Sequence, residues 1–164
     1  MANLLLNAPL KYEPKTQNRW VLLFPDDVGI QTWAVKSVGS PKISMDKQTI
    51  KFLNTETYFV SNYKWEDMTC TIRDFIAPSQ SEALMEWVRL HAESVTGRMG
   101  YNVGQAKDII LQSLDPTGVA TEEWLLKNTI VTGSVEFGTF DYSGSDVREL
   151  TFTMSPQYCI HLFG

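Results

Sequence analysis

Met68-Thr69-Cys70-Thr71-Ile72-Arg73-Asp74-Phe75 alternates from its first residue, with Met68, Cys70 and Ile72 set against Thr69, Thr71 and Arg73. Successive side chains on a strand point to opposite faces, so this segment predicts a strand with one apolar face and one polar face. The pattern returns near the C-terminus, where Leu150, Phe152 and Met154 alternate with Glu149, Thr151 and Thr153, and again in Tyr158-Ile160-Leu162 beyond Pro156. Arg19 to Phe24 is a compact apolar run closed by Pro25 and Asp26-Asp27, and it reads as a buried strand. Thr32 to Val38, with Trp33 and Val35 against Ala34 and Lys36, reads as a second strand ending at Gly39-Ser40-Pro41. Asp108 to Leu114 is a further strand, closed by Asp115-Pro116-Thr117-Gly118. Trp124 to Phe137 contains a long one, in which Val131, Val135 and Phe137 share a face and Gly133 marks a bend.

Between Lys42 and Lys64 lie two β-prone pieces, Thr49 to Leu53 and Glu56 to Val60, split by Asn54-Thr55. They predict a long hairpin over 42–64 whose apolar residues Ile43, Ile50, Phe52, Tyr58 and Phe59 exceed what a free loop carries. An extended ribbon bearing aromatic residues needs something to pack against. One helix is expected, beginning at Ser79, where Ser79 and Glu82 form a capping box after Pro78. Its apolar stripe runs through Leu84, Trp87, Val88, His91 and Val95, and it is expected to stop near Thr96-Gly97. The glycines at 97, 100 and 104 then read as a crossing loop. The fold class that follows is mainly β, an antiparallel sandwich or half-barrel with one flanking α-helix.

The 164 residues are expected to form a single domain, 1–164, with residues 1–18 as an N-terminal arm. Leu4-Leu5-Leu6 lacks the basic flank and the longer apolar core of a signal peptide. Nineteen acidic residues against fourteen basic ones give a formal charge of −5, which argues against a sequence-reading DNA-binding domain, since such domains grip phosphates with clustered Lys and Arg. No apolar run approaches the roughly 20 residues that span a bilayer, so no membrane partner is expected.

The residue types needed for catalysis are sparse. His91 reads as a core histidine with a satisfied ring N–H, and His161 lies near the terminus between Ile160 and Leu162. Cys70 and Cys159 match no zinc or redox spacing, and Cys70 reads as a small buried hydrophobe. Glycines 97, 100 and 104 have the wrong spacing for a dinucleotide or phosphate loop. The carboxylate pairs Asp26-Asp27, Glu66-Asp67 and Glu122-Glu123 are adjacent in sequence, a poor arrangement for a cooperating acid and base. The expectation is of no enzyme, no catalytic residue, no metal and no cofactor.

The order and spacing of these pieces resemble the tail tube proteins of contractile bacteriophages. In that family an apolar hairpin leads to an aromatic, one or two acids and a Thr-rich strand ending in Asp; here these are Trp65, Glu66, Asp67, Thr69, Thr71 and Asp74. Trp87 matches an aromatic on the inner face of the following helix. Glu123-Trp124-Leu125-Leu126, Val135-Glu136-Phe137-Gly138, Asp141-Tyr142-Ser143 and Glu149 to Met154 match the closing third, so the resemblance covers most of residues 19–160. The needle proteins of type VI secretion share this fold. The resemblance implies hexameric rings stacked into the inner tail tube of a virion, each ring closing into a β-barrel from four strands per subunit. Strands at 31–38, 68–75, 129–137 and 147–154 are the implied inner wall, and the 42–64 hairpin is implied to reach the next ring. The N-terminal arm or the 97–104 loop would meet a neighbour. Implied partners are further copies of the chain, the tail sheath, the tape measure and the baseplate tube initiator, with double-stranded DNA passing through without specific binding. Synthesis and assembly would take place in the bacterial host cytoplasm. A conduit for DNA should repel phosphates, so the acidic surplus is expected on the lumen side. A tube initiator or an injection-system needle subunit stays open as a neighbouring role, and a monomeric β-barrel binding a small apolar ligand as a role of another class.

Overall fold

The computed structural model describes residues 13–164. In chain order the elements are β1 (Trp20–Leu23), a 3-10 turn (Thr32–Ala34), β2 (Val35–Val38), β3 (Ile43–Phe52), β4 (Thr55–Trp65), β5 (Met68–Arg73), α1 (Gln80–Arg89), α2 (Asn102–Gln105), β6 (Lys107–Leu114), β7 (Ala120–Glu136), β8 (Glu149–Ser155) and β9 (Tyr158–Phe163). Every strand pairing is antiparallel.

β7 organises the molecule. Its first half pairs with β6 on one side and β9 on the other, and β1 extends that layer beyond β6. Its second half pairs with β8, which continues through β5 to β2. The change of layer falls at Asn128, a non-glycine residue at φ 49°. The side chain of Asp108 accepts from the Asn128 backbone N–H (3.0 Å) and from Lys127 Nζ (2.6 Å), fixing the kink. A second irregularity comes at Gly133, at φ 65°, where the register against β8 shifts between Thr132 and Glu136. The bend expected there is present.

One core fills the space between the layers. Leu22, Ile109 and Leu126 from the first layer meet Met68, Cys70, Ile72, Leu150, Phe152 and Met154 from the second. Helix α1 closes the gap with Leu84 and Trp87, and the Trp87 ring makes edge contacts with Phe24 and Phe152. The strict alternation in β5 and β8 is therefore the register of a sheet packed on one face only.

Three expectations are corrected. Residues 31–38 are not one strand: Thr32–Ala34 form a 3-10 turn, so Ala34 is buried and Trp33 turns outward onto Phe75 (ring centroids 4.9 Å apart). Helix α1 ends at Arg89, well short of Thr96, with Leu90 as its C-cap. His91 and Val95 therefore leave the stripe; Val95 is exposed, and His91 Nε2 is buried with no hydrogen-bonding partner. Burial holds the His91 pKa below the usual range, against a contact with Gln105 that raises it. Part of the 97–104 loop is helical, as α2. Buried Gln105 ties it back, donating from Nε2 to the carbonyls of Leu90 and Gly100 (both 2.9 Å) and accepting at its own carbonyl from Trp87 Nε1 (3.0 Å). Spacing showed the apolar stripe of α1 but carried no signal for this stop, which comes from a tertiary anchor.

Candidate assembly surfaces

The first surface is the open second layer, ordered β7–β8–β5–β2. These are the four segments that the resemblance assigns to an inner wall, with β2 shorter than expected. Among the described residues the layer has a free edge at each end, β2 on one side and the second half of β7 on the other. Its face away from the core bears Thr69, Thr71, Thr132, Thr151 and Thr153, with Thr69 and Thr71 cross-strand from Thr153 and Thr151. The Thr71 and Thr151 hydroxyls lie 3.5 Å apart, and Ser155 donates to Asp67 (2.6 Å). The charges on this face are nearly balanced. Lys36 and Arg73 stand against Glu136 and Glu149, with Asp67 at the margin, and Lys36 Nζ lies 2.6 Å from Glu149. The outward positions of the alternating strands here are filled mostly by threonine.

The second surface is the hairpin. β3 and β4 pair with each other over ten registered positions and, among the described residues, with no other strand, and the turn is Leu53-Asn54 with Leu53 at φ 52°. All five expected contact residues are exposed: Ile43, Ile50, Phe52, Tyr58 and Phe59. They do not share a face. Ser61 is an extra residue in β4 between the pairs Asp46–Asn62 and Lys47–Val60. Ile50, Phe52 and Phe59 therefore lie on one side, and Ile43 and Tyr58 on the other. Met45, Val60 and Tyr63 join Ile43 and Tyr58, and exposed Leu53 caps the tip. The bulge inverts the parity between Val60 and Tyr63 and so hid the face of Tyr63; Met45, Val60 and Leu53 lie outside its effect. Lys47 Nζ sits 4.4 Å over the Tyr58 ring. A ribbon apolar on both faces is covered only when it is packed from two sides.

The third surface is the end of the second layer opposite the hairpin. Register places the end of β5, the end of β7 and the start of β8 together there, since Arg73 pairs with Glu149 and Glu136 with Thr151. Its loops expose Ile76, Phe140, Tyr142 and Val147, beside Trp33. Asp74 anchors this end. Its Oδ1 accepts from the backbone N–H groups of Phe75 (3.0 Å), Gln80 (3.0 Å) and Ser81 (3.1 Å) at the start of α1, and its Oδ2 pairs with Arg148. Burial works to raise the Asp74 pKa, but Arg148 and the backbone donors outweigh it and hold the carboxyl below the usual range. Ser79 supplies the expected cap, accepting from Glu82 N–H (3.3 Å). The loop between α1 and β6 adds exposed Met99, Tyr101 and Val103.

Outside these surfaces the chemistry is modest. Cys70 and Cys159 are free and buried, and burial pushes their thiols up to about 12 and about 11. His161 packs on Trp124 (4.6 Å between ring centroids). Among the described residues no group of three or more His, Cys, Asp or Glu is placed to hold a metal ion, and no helix is long and apolar enough to cross a membrane. A cavity of about 530 Å³ opens between β1–β6 and the free β2 edge, flanked by Trp20, Trp124, Val38 and Leu111. Residues 13–18 are exposed, and Lys15 is tied to Glu122 (2.7 Å); the remainder of the expected arm, 1–12, lies outside the described residues.

No family model and no curated protein matches the sequence. Solved structures do. A chain of the anti-feeding prophage tube terminating cap aligns with a TM-score of 0.73 at 15% identity, over 100% of both chains. A chain of the PVC sheath-tube complex, from an extracellular contractile injection system in the extended state, aligns at 0.72 and 15% identity over 100% of this chain and 99% of that one. The chain has the contractile tail-tube fold. A chain of the PVC sheath/tube terminator gives 0.72 at 17% identity over 93% of this chain and 99% of that one. At these identities the likeness is one of fold.

Proposed function

We propose that this protein is a structural subunit of a contractile tail or injection apparatus, in which six copies form a ring and rings stack into the inner tube. The observation that carries this reading is the second layer, which among the described residues is open at both edges, together with an exposed apolar hairpin that pairs with no other described strand. Unpaired edge strands are templates for further pairing, and closing them around a ring removes them. The β2 edge of one copy would meet the β7 edge of the next, with the threonine-rich face toward the lumen.

The role is passive. The wall offers hydroxyls and balanced charge, which neither grip nor strongly repel a polyanion, so double-stranded DNA in a phage virion would slide without being held. A sheath would cover the outside, and tape-measure and baseplate initiator proteins would meet the ends. Tube body and terminating cap are both represented among structures of this fold, and TM-scores of 0.73 and 0.72 do not separate them. The small-ligand reading has less support, since the core between the layers is filled by Trp87, Phe152 and their neighbours and the cavity of about 530 Å³ lies open at the sheet edge beside β2. Negative-stain microscopy with sedimentation velocity tests the proposal: rings or tubes are expected, and a protein that stays monomeric at millimolar concentration would overturn it.

A further inference from the structure

The cavity of about 530 Å³ beside β2 is lined by residues 36–41, by Trp20, Leu111 and Trp124, and by Thr16 and Gln17 from the segment that leads into β1. Residues 13–18 belong to no helix or strand, and all six are exposed. Among the described residues a single bond joins them to the far side of the fold: Lys15 Nζ donates to Glu122 Oε2 on β7 (2.7 Å). The other contacts of the segment, Glu13 with Arg19 (3.3 Å) and the Arg19 N–H with the Thr16 carbonyl (3.4 Å), are local. Glu122 is well placed to hold Lys15. Its Oε1 accepts from Trp124 Nε1 (2.8 Å) and lies 3.4 Å from His161 Nε2, which leaves Oε2 for the lysine. Lys15 and then Trp124 hold the Glu122 carboxyl below the usual range, against burial.

From this we infer that residues 13–18 are a strap that guards the β2 edge, latched by Lys15 and Glu122, and that releasing the latch opens the edge to a strand of another copy. The inference rests on the tube reading and adds to it a control on when the edge becomes available. A strand pairing with β2 would lie about 4.8 Å from it and stand side chains alternately to either face, one set toward the cavity that Thr16 and Gln17 line. A bare edge is a template for any strand it meets, and covering it with a loop is one way proteins prevent unwanted pairing. The latch is also weak enough to yield. The Lys15 and Glu122 side chains keep 53% and 22% exposure, so water and salt screen the pair and an incoming strand can displace it. A subunit in solution stays closed, and contact with an assembled end opens it.

Assembly kinetics followed by light scattering test this. Lys15→Ser and Glu122→Gln each remove one half of the latch and should shorten the lag before assembly about threefold, whereas Lys15→Arg, which keeps the charge, should retain the parent's lag. Lys15 lies on exposed coil, so Lys15→Ser carries the test even if Glu122→Gln melts lower. A covalent closure gives the converse. Gln17→Cys and Ser40→Cys line the same cavity at exposed positions, and the native Cys70 and Cys159 are buried. Bridging the two with a flexible, reducible bismaleimide should block assembly, and cutting the bridge with dithiothreitol should restore it. If the latch variants keep or lengthen the parent's lag, if no bridge forms within the monomer, or if the bridged chain assembles freely, the guard is wrong and the tube reading stands. If no chain assembles, latched or released, both are overturned.

Discussion

Replacing Asp74 should loosen the loop end of the molecule by an amount the structure lets one estimate. Its carboxylate is largely buried, caps three backbone N–H groups and pairs with Arg148, whose side chain keeps 33% exposure. Breaking a fully buried pair by removing one partner costs roughly 3–5 kcal/mol. Arg148 can recover water, which lowers that figure, and the lost capping bonds add about 1 kcal/mol. Asp74→Ala should therefore cost about 3 kcal/mol and Asp74→Asn, which keeps an acceptor, about half. With a denaturant slope of about 2 kcal/mol per M for a domain of this size, the alanine variant's urea midpoint should fall by about 1.5 M. The pH dependence has a definite sign. Because the folded carboxyl titrates lower than the unfolded one, its contribution is complete above the ordinary aspartate value of about 3.9 and is lost as pH falls through the depressed folded value. The difference between the parent and Asp74→Asn should be flat from pH 5 to 8 and close below pH 4. Urea titrations of both variants at pH 7 and across the acid range decide it. An alanine midpoint within about 0.3 M of the parent, or a difference that widens in acid, would refute the anchor.

Gly100→Ala would place a Cβ on the Leu90 carbonyl oxygen, a backbone atom that cannot swing aside, and should cost at least about 2 kcal/mol in thermal or urea unfolding. Phe52→Ser with Phe59→Ser should leave the monomer's unfolding midpoint within about 0.5 kcal/mol of the parent, because both rings are exposed, while strongly reducing assembly measured by sedimentation. Cys70, fully buried with a thiol pKa pushed up to about 12, should be silent to Ellman's reagent in the native protein and react on unfolding; fast native labelling would contradict its place in the core.

Much of the fold is legible because period-two patterns on one-sided sheets leave little choice of register. Met68 to Arg73 and Glu149 to Ser155 declare both the strand and the face it buries. The start of α1 is equally legible from Ser79 and Glu82, since capping is local chemistry. Its end is not. Leu90 stops the helix because Gln105, fifteen residues on, takes its carbonyl, and no window around residue 90 contains that information. Trp33 misleads for a related reason: one turn of 3-10 helix inverts the parity of a pattern too short to expose the error. At the assembly surfaces, five apolar positions of the hairpin could be read directly, whereas the bulge at Ser61 hid the face taken by Tyr63. The Asp74–Arg148 anchor joins residues 74 positions apart and is visible only when β5 and β8 lie side by side.

The single strand that belongs to both layers has a mechanical meaning. The two sheets of an ordinary sandwich are held by side-chain packing and can slip past each other under load. Here β7 is one unbroken backbone of seventeen residues that serves as a rung in each sheet. Traction applied to one layer is carried into the other by covalent bonds, and slipping the layers means stripping hydrogen bonds along β6, β8 and β9 at once. The kink at Asn128 thus acts as a rivet between the two layers.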